Sequence, residues 1–261
     1  MTSSELSVRA PKVAEAARLL IEARASRQPI QAPPPELAPA DEAEAWAIHE
    51  AVVASLGPVV AWKTGAPTPE AEPGMGLITA DTVRPSPAAV AADAFLLGAV
   101  EAEIAVTLGR DLGPRAEPYS PEEVLDAVRT WHAAIEVLDT AFADWAATPA
   151  VWRIADRQSH GLLVLGAGAA ERPSVPLARL PVVLTIDGET AFAHEGGNTG
   201  GDPVRLLTHL ANARRGSGRP LMAGDVVTTG STTPFLRAAP GQRVRAIFEG
   251  LPEAELTISP A

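Results

Sequence analysis

Lysine occurs at only two positions in this chain, Lys12 and Lys63, although Lys and Arg together number 21. Arginine is permanently charged, whereas lysine can lose its proton when desolvated. Lys63 lies in Trp62-Lys63-Thr64-Gly65, after the apolar run Val59-Val60-Ala61. It is a candidate for proton transfer; an ion-pairing or snorkelling side chain is the alternative. Glu101 and Glu103 stand two residues apart in Val100-Glu101-Ala102-Glu103-Ile104-Ala105-Val106. On a strand they share one face, opposite Val100, Ala102, Ile104 and Val106. Two such carboxylates repel, and a hard divalent cation with oxygen ligands relieves the repulsion; a solvated acidic face is the alternative. Glu136 interrupts the apolar stretch Ala133 to Leu138. A buried glutamate there needs a partner or a metal, unless it takes the exposed position of an edge strand. Three glutamates, no cysteine and five scattered histidines without His-x3-His spacing favour Mg²⁺ or Mn²⁺ over Zn²⁺ or Cu²⁺. The histidines read as surface or packing residues.

Other motifs carry less. Arg157-Gln158-Ser159-His160-Gly161 lacks the first glycine of a G-x-S-x-G elbow. Gly166-Ala167-Gly168 lacks the third glycine of a dinucleotide fingerprint and reads as a turn. Gly196-Gly197-Asn198-Thr199-Gly200-Gly201 has no Lys-Ser/Thr ending, so it is not a P-loop and reads instead as a flexible loop near a ligand.

These residues need elements to position them. Periodicity predicts helices over 11–25, with Pro11 in the first turn, and over 41–56, with Asp41 as N-cap and Glu44 three residues on. A Pro-rich connector at 32–39, expected to be extended and not helical, separates them, and a short strand over 59–63 follows. β-rich runs lie at 99–108, 134–139, 162–165, 181–187, 225–229, 243–249 and 254–258, with Asp187-Gly188 as a hairpin signal. Helices are expected over 121–133, capped by Ser120 with Glu123, and over 203–214, opened by Asp202-Pro203. Without βαβ alternation the fold class is α+β. The expected division is a helical N-terminal part over 1–60 and a catalytic mixed-β core over 61–261.

Bulk chemistry narrows the function. The net charge is −11, which disfavours a nucleic-acid partner; Arg157 is a candidate to offset that charge for an anionic substrate. Cysteine is absent, which fits a reducing cytoplasm. No signal peptide is read, and no apolar run reaches the roughly 20 residues of a membrane span.

The order of motifs is more specific than any one of them. Trp62-Lys63-Thr64-Gly65 is followed by Pro73-Gly74-Met75-Gly76-Leu77-Ile78-Thr79-Ala80-Asp81, then Glu101-Ala102-Glu103, Ile135-Glu136-Val137, Ile154-Ala155-Asp156 and finally Leu221 to Ser231. The series resembles the 2-keto-4-pentenoate hydratase and 4-oxalocrotonate decarboxylase family, within the fumarylacetoacetate hydrolase superfamily, over about 45–258. The resemblance implies a mixed-sheet β-roll core with a small N-terminal helical part, and a homo-oligomer. It implies Mg²⁺ or Mn²⁺ on Glu101, Glu103 and Glu136, with Lys63 and Asp81 handling protons. Ser159, Thr229, Gly230 and Ser231 would bind the substrate, a small 2-oxo or 2-hydroxy-dienoate acid. The implied reaction is addition of water to the dienoate in aromatic catabolism. A decarboxylase or C–C hydrolase at the same metal site is the alternative, and a catalytically silent ligand-binding homologue a third. The chain departs from the family's Ala-Asp-Asn-Ala-Ser, reading Ala155-Asp156-Arg157-Gln158-Ser159.

Overall fold

The computed structural model describes residues 3–260; residues 1, 2 and 261 of the expected spans lie outside the described residues. Helix α1 (Ser3–Ser26) begins before the expected start, so Pro11 lies inside it. Proline removes one backbone hydrogen bond there but does not end the helix. Helix α2 (Glu42–Leu56) starts on Asp41, whose side chain accepts from the Glu44 amide at 2.7 Å, and stops at Gly57, whose φ is 138°. Strand β1 (Val59–Gly65) follows directly. The connector expected to be wholly extended instead closes one 3-10 turn at Pro35–Leu37, since the proline φ suits that turn as well. Buried Ala16, Leu20, Ala45, Ile48, Val52, Phe142 and Trp152 form one apolar cluster, which packs α1 and α2 against α4 (Ala150–Ala155).

Next come β2 (Gly74–Thr79), β3 (Val83–Pro85), β4 (Ala88–Ala91) and β5 (Ala99–Leu108). The helix expected over 121–133 is corrected. Helix α3 (Pro121–Leu125) has the full Ser120/Glu123 capping box but runs only five residues. Strand β6 (Val128–Leu138) occupies the remainder. Pairing along β5, from Ala99 opposite Leu138 to Leu108 opposite Val128, overrides the local helical pattern. The remaining elements are β7 (His160–Leu165), β8 (Pro181–Ile186), β9 (Glu189–Glu195), α5 (Pro203–Arg214), β10 (Val226–Ser231), β11 (Leu236–Arg237), β12 (Arg243–Phe248) and β13 (Ala254–Ser259). Asp187 and Gly188, with φ of 52° and 85°, make the two-residue turn between β8 and β9, as a type I′ hairpin requires.

The larger sheet has the order β2-β1-β10-β5-β6-β7-β3, with β11 also on β5. The smaller has the order β4-β13-β12-β8-β9. Alternation divides β5 as expected. Val100, Ala102, Ile104 and Val106 join Ile135, Val137, Leu184, Val244 and Leu256 in the main core between the sheets. On the other face Ala61, Ile78, Ala105, Ala134 and Leu163 meet in a separate cluster drawn from five strands. Val226 of β10 packs against this cluster, so it runs across consecutive strands on the concave face of the curled sheet. The fold is α+β, a curled mixed sheet with helices at its N-terminal side.

Candidate active site

The concave wall brings the chemistry together. Glu101 lies directly opposite Glu136 in the β5–β6 ladder, and Glu103 follows two residues on, on the same face. Carboxylate oxygens of Glu101, Glu103 and Glu136 all lie within 4.8 Å of one another. Glu103 and Glu136 are each 1 % exposed. Lys63 arrives from β1, which runs parallel to β10 with Lys63 opposite Thr228. Its Nζ donates to Glu136 Oε1 at 2.6 Å and Oε2 at 2.8 Å, and to the Gln158 carbonyl at 3.0 Å. Gly76 stands beside Lys63 on β2. A Cβ there would lie 3.0 Å from Lys63 Cγ and 3.3 Å from Gln158 Cγ, so the missing side chain makes room for both stems.

The glutamates do not share one electrostatic fate. Burial, and then the Glu136 charge, push Glu101 up to about 7. The same two causes raise Glu103 well above the ordinary carboxylate value, despite a hydrogen bond from Thr228 Oγ1. Burial also penalises ionised Glu136, but the Lys63 charge and a hydrogen bond from His160 outweigh it and hold Glu136 low. Burial keeps His160 down at about 4, so a neutral ring donates Nδ1–H to Glu136 Oε1 at 2.8 Å. One ammonium thus serves three clustered carboxylates. An all-oxygen donor set with unrelieved repulsion fits a hard divalent cation.

These side chains line a cavity of about 310 Å³ together with Gly230, Ser231 and Ser159. The Ser159 hydroxyl accepts from Trp145 Nε1–H at 2.8 Å, which leaves its own O–H free to donate. Residues 157–159 form a left-handed turn, with φ of 57°, 53° and 59°. Each non-glycine residue in that region costs roughly 1–2 kcal/mol. Buried ionic bonds fix the turn's base. Arg24 donates from Nε to Asp156 at 2.8 Å and from Nη1 to Asp139 at 2.9 Å, and Asp156 also accepts from the Ala141 amide at 2.7 Å. The turn aims the Gln158 carbonyl at Lys63.

Two residues expected near the substrate lie elsewhere. Thr229 is fully buried and its hydroxyl is engaged by the Ile104 carbonyl at 2.8 Å, so it does not reach the cavity that Gly230 and Ser231 line. Asp81 is exposed in a single turn after β2 and lines a second cavity with Arg24, Asp139 and Arg157. Arg157 belongs to that second cavity, not to the first. Sequence reasoning missed Thr228, His160, Trp145 and Arg153, whereas Thr199, which lines the cavity, belongs to the glycine-rich loop expected near a ligand. Only His160, beside Ser159 at the head of a strand, carried a local signal.

Comparison with known proteins places the fold in a family. The sequence pattern described as fumarylacetoacetate (FAA) hydrolase C-terminal matches residues 18–259. The chain is 31 % identical over 247 residues to 2-keto-4-pentenoate hydratase 2 of Dechloromonas aromatica (strain RCB), covering 90 % of this chain and 93 % of that protein. It is 30 % identical over 180 residues to 2-keto-4-pentenoate hydratase 1 of the same organism, covering 69 % and 67 %. Among solved structures, 4-oxalocrotonate decarboxylase from Pseudomonas putida G7, complexed with magnesium and adipate, superposes with a TM-score of 0.83 at 21 % identity, over 99 % of each chain. A match across nearly the whole chain, on the fold just described, means that the chain belongs to the fumarylacetoacetate hydrolase family.

Proposed function

We propose that the protein is a metal-dependent hydratase that adds water to a 2-hydroxy-2,4-dienoate to give a 4-hydroxy-2-oxo acid. The observation that carries the reading is the meeting of Lys63 with Glu101, Glu103 and Glu136 in one cavity. The full-length relative named a 2-keto-4-pentenoate hydratase supports the substrate class.

Glu101, Glu103 and Glu136 would hold Mg²⁺ or Mn²⁺, which when bound supplies Lewis acidity toward the oxygens of a 2-oxo acid. The rest is the work of the chain's own groups. Hydration needs a proton taken from the 2-hydroxyl and one delivered to C5, after which water adds its oxygen at C4 and a proton at C3. Lys63 Nζ is the proton carrier on the cavity wall, steered by Glu136 and the Gln158 carbonyl. Ser159 O–H donates to the substrate carboxylate. Met75 and Leu138 cover the hydrocarbon part and limit water. Asp81, on another cavity, takes no step.

The test follows absorbance of 2-hydroxypenta-2,4-dienoate with Mg²⁺ present and after chelation. Metal-dependent decay with formation of 4-hydroxy-2-oxopentanoate supports the reading, and an unchanged spectrum at high enzyme concentration rejects it.

A further inference from the structure

The second cavity holds a cation without a partner. It has a volume of about 280 Å³ and is walled by α1, α2, the turn after β2 and Arg157. Arg157 is only 7 % exposed. Its Nε is buried without a hydrogen-bond partner, and among the described residues its guanidinium forms no ion pair. Burial, and then the neighbouring Arg24 charge, lower it to about 10, so it stays protonated at neutral pH. The carboxylates nearby are already engaged. Asp139 Oδ1 accepts from the Leu96 and Leu97 amides at 2.8 and 3.1 Å, and its Oδ2 accepts from Arg24. Asp156 accepts from Arg24 on one oxygen and from the Ala141 amide on the other. Asp81 stands exposed on its turn.

A buried charge is costly to the fold unless a partner accepts its hydrogen bonds. An arginine fork is matched by a planar carboxylate, which accepts two parallel N–H bonds. Much of the remaining wall is hydrocarbon, from Ile21 of α1, Val52 and Leu56 of α2, and Phe95. Asp81 and Asp139 line the same cavity and repel a second negative charge, so the site suits an acid with one carboxylate. We propose that the second cavity binds a short-chain monocarboxylic acid, its carboxylate on the Arg157 guanidinium and its chain against Ile21, Val52, Leu56 and Phe95. None of these groups takes a step in the proposed hydration, so the site can fill whether or not the chain hydrates a dienoate. Arg157 opens the left-handed turn that aims the Gln158 carbonyl at Lys63, and an acid seated on it braces that turn at its first residue.

The probe is pentanoate, titrated by calorimetry into the metal-free protein, in which the three clustered glutamates of the first cavity repel an acid. Pentanamide keeps the shape without the charge, and acetate keeps the charge without three methylenes. Pentanoate is expected to bind at least about tenfold more tightly than either. At saturation it is expected to raise the melting temperature by at least about 3 °C. Arg157→Asn deletes the charge and suits a φ of 57°, so the turn survives; pentanoate affinity is expected to fall at least about tenfold. Ala25→Leu, from the α1 wall, narrows the cavity without touching a charge, and is expected to weaken pentanoate more than acetate. No uptake of pentanoate by wild type at millimolar concentration overturns the proposal. So does wild-type affinity in both variants, which means that the acid is held elsewhere. Inorganic phosphate binding more tightly than pentanoate also overturns it, since the hydrocarbon wall then plays no part.

Discussion

Gly230 lies so close to Gly65 that a Cβ on it would sit 3.1 Å from the Gly65 Cα and 3.2 Å from the Thr64 carbonyl oxygen. Its φ is +79°. Both glycines line the cavity, at the point where β1 and β10 run side by side. Gly230→Ala must therefore bear a left-handed backbone penalty of roughly 1–2 kcal/mol and also push β1 and β10 apart. The melting temperature is expected to fall by at least about 3 °C, with turnover falling as the Lys63 strand shifts. A melt that superimposes on wild type would show that the strands yield to a methyl group at no cost.

Glu103 separates metal binding from stability. Burial and the Glu136 charge both disfavour its ionised form, so without a cation it is a source of strain in the folded protein. Glu103→Gln keeps the shape and removes the charge. Mn²⁺ affinity, measured by calorimetric titration, is expected to fall at least about tenfold. The metal-free protein is expected to melt no lower than wild type, because a repulsive carboxylate has gone. Undiminished Mn²⁺ affinity would mean that the ion is held elsewhere.

Lys63→Met keeps the hydrocarbon stem between Gly76 and Gln158 and deletes the amine. Turnover of the dienoate is expected to drop by roughly 10²–10⁴, the usual contribution of a positioned proton carrier. Glu136 keeps its bond from His160, so Mn²⁺ binding should survive. Equal losses in turnover and metal affinity would reassign Lys63 to holding the site together.

How much of this is legible in the chain depends on the range of each signal. The shared face of Glu101 and Glu103 follows from strand alternation, a purely local rule, and Asp187-Gly188 carries its own turn chemistry. Glu136 is visible as an acid among apolar residues, but its place opposite Glu101 is a register fact set by pairing between segments far apart in sequence. The same pairing ends α3 early: Ser120 marks where that helix starts, and nothing local marks its stop. Arg153 and Trp145 carry no local signal, because the wall they form comes from a loop and the six-residue helix α4 after β6, too short for a periodic pattern. Motif order alone groups Asp81 with Lys63, and the short turn after β2 carries it to the second cavity.

His49 gives the fold a dependence on acid. It is fully buried on α2. A neutral ring satisfies both nitrogens: Nδ1–H donates to the Ile154 carbonyl at 3.0 Å, and Nε2 accepts from the Leu77 amide at 3.0 Å. One imidazole thus ties the helical cluster to the strand beside Lys63. Burial, outweighing the Ile154 bond and helped by the charges of Arg157 and Lys63, holds His49 down to about 4. The unfolded chain takes up that proton near pH 6.5, so its free energy falls first as the medium is acidified. The His49 contribution is fully present above about pH 6.5 and is lost progressively as pH falls toward 4, by roughly 3 kcal/mol in all. His160, also held near 4 by burial, titrates in the same window. The check is the melting temperature against pH for wild type and His49→Asn. The variant should be less stable at pH 7.5, yet its decline between pH 6.5 and 4 should be shallower, because the His49 share is gone while those of His160 and His132, also lowered by burial, remain. Parallel curves would mean that His49 gains its proton without breaking the bond to Leu77.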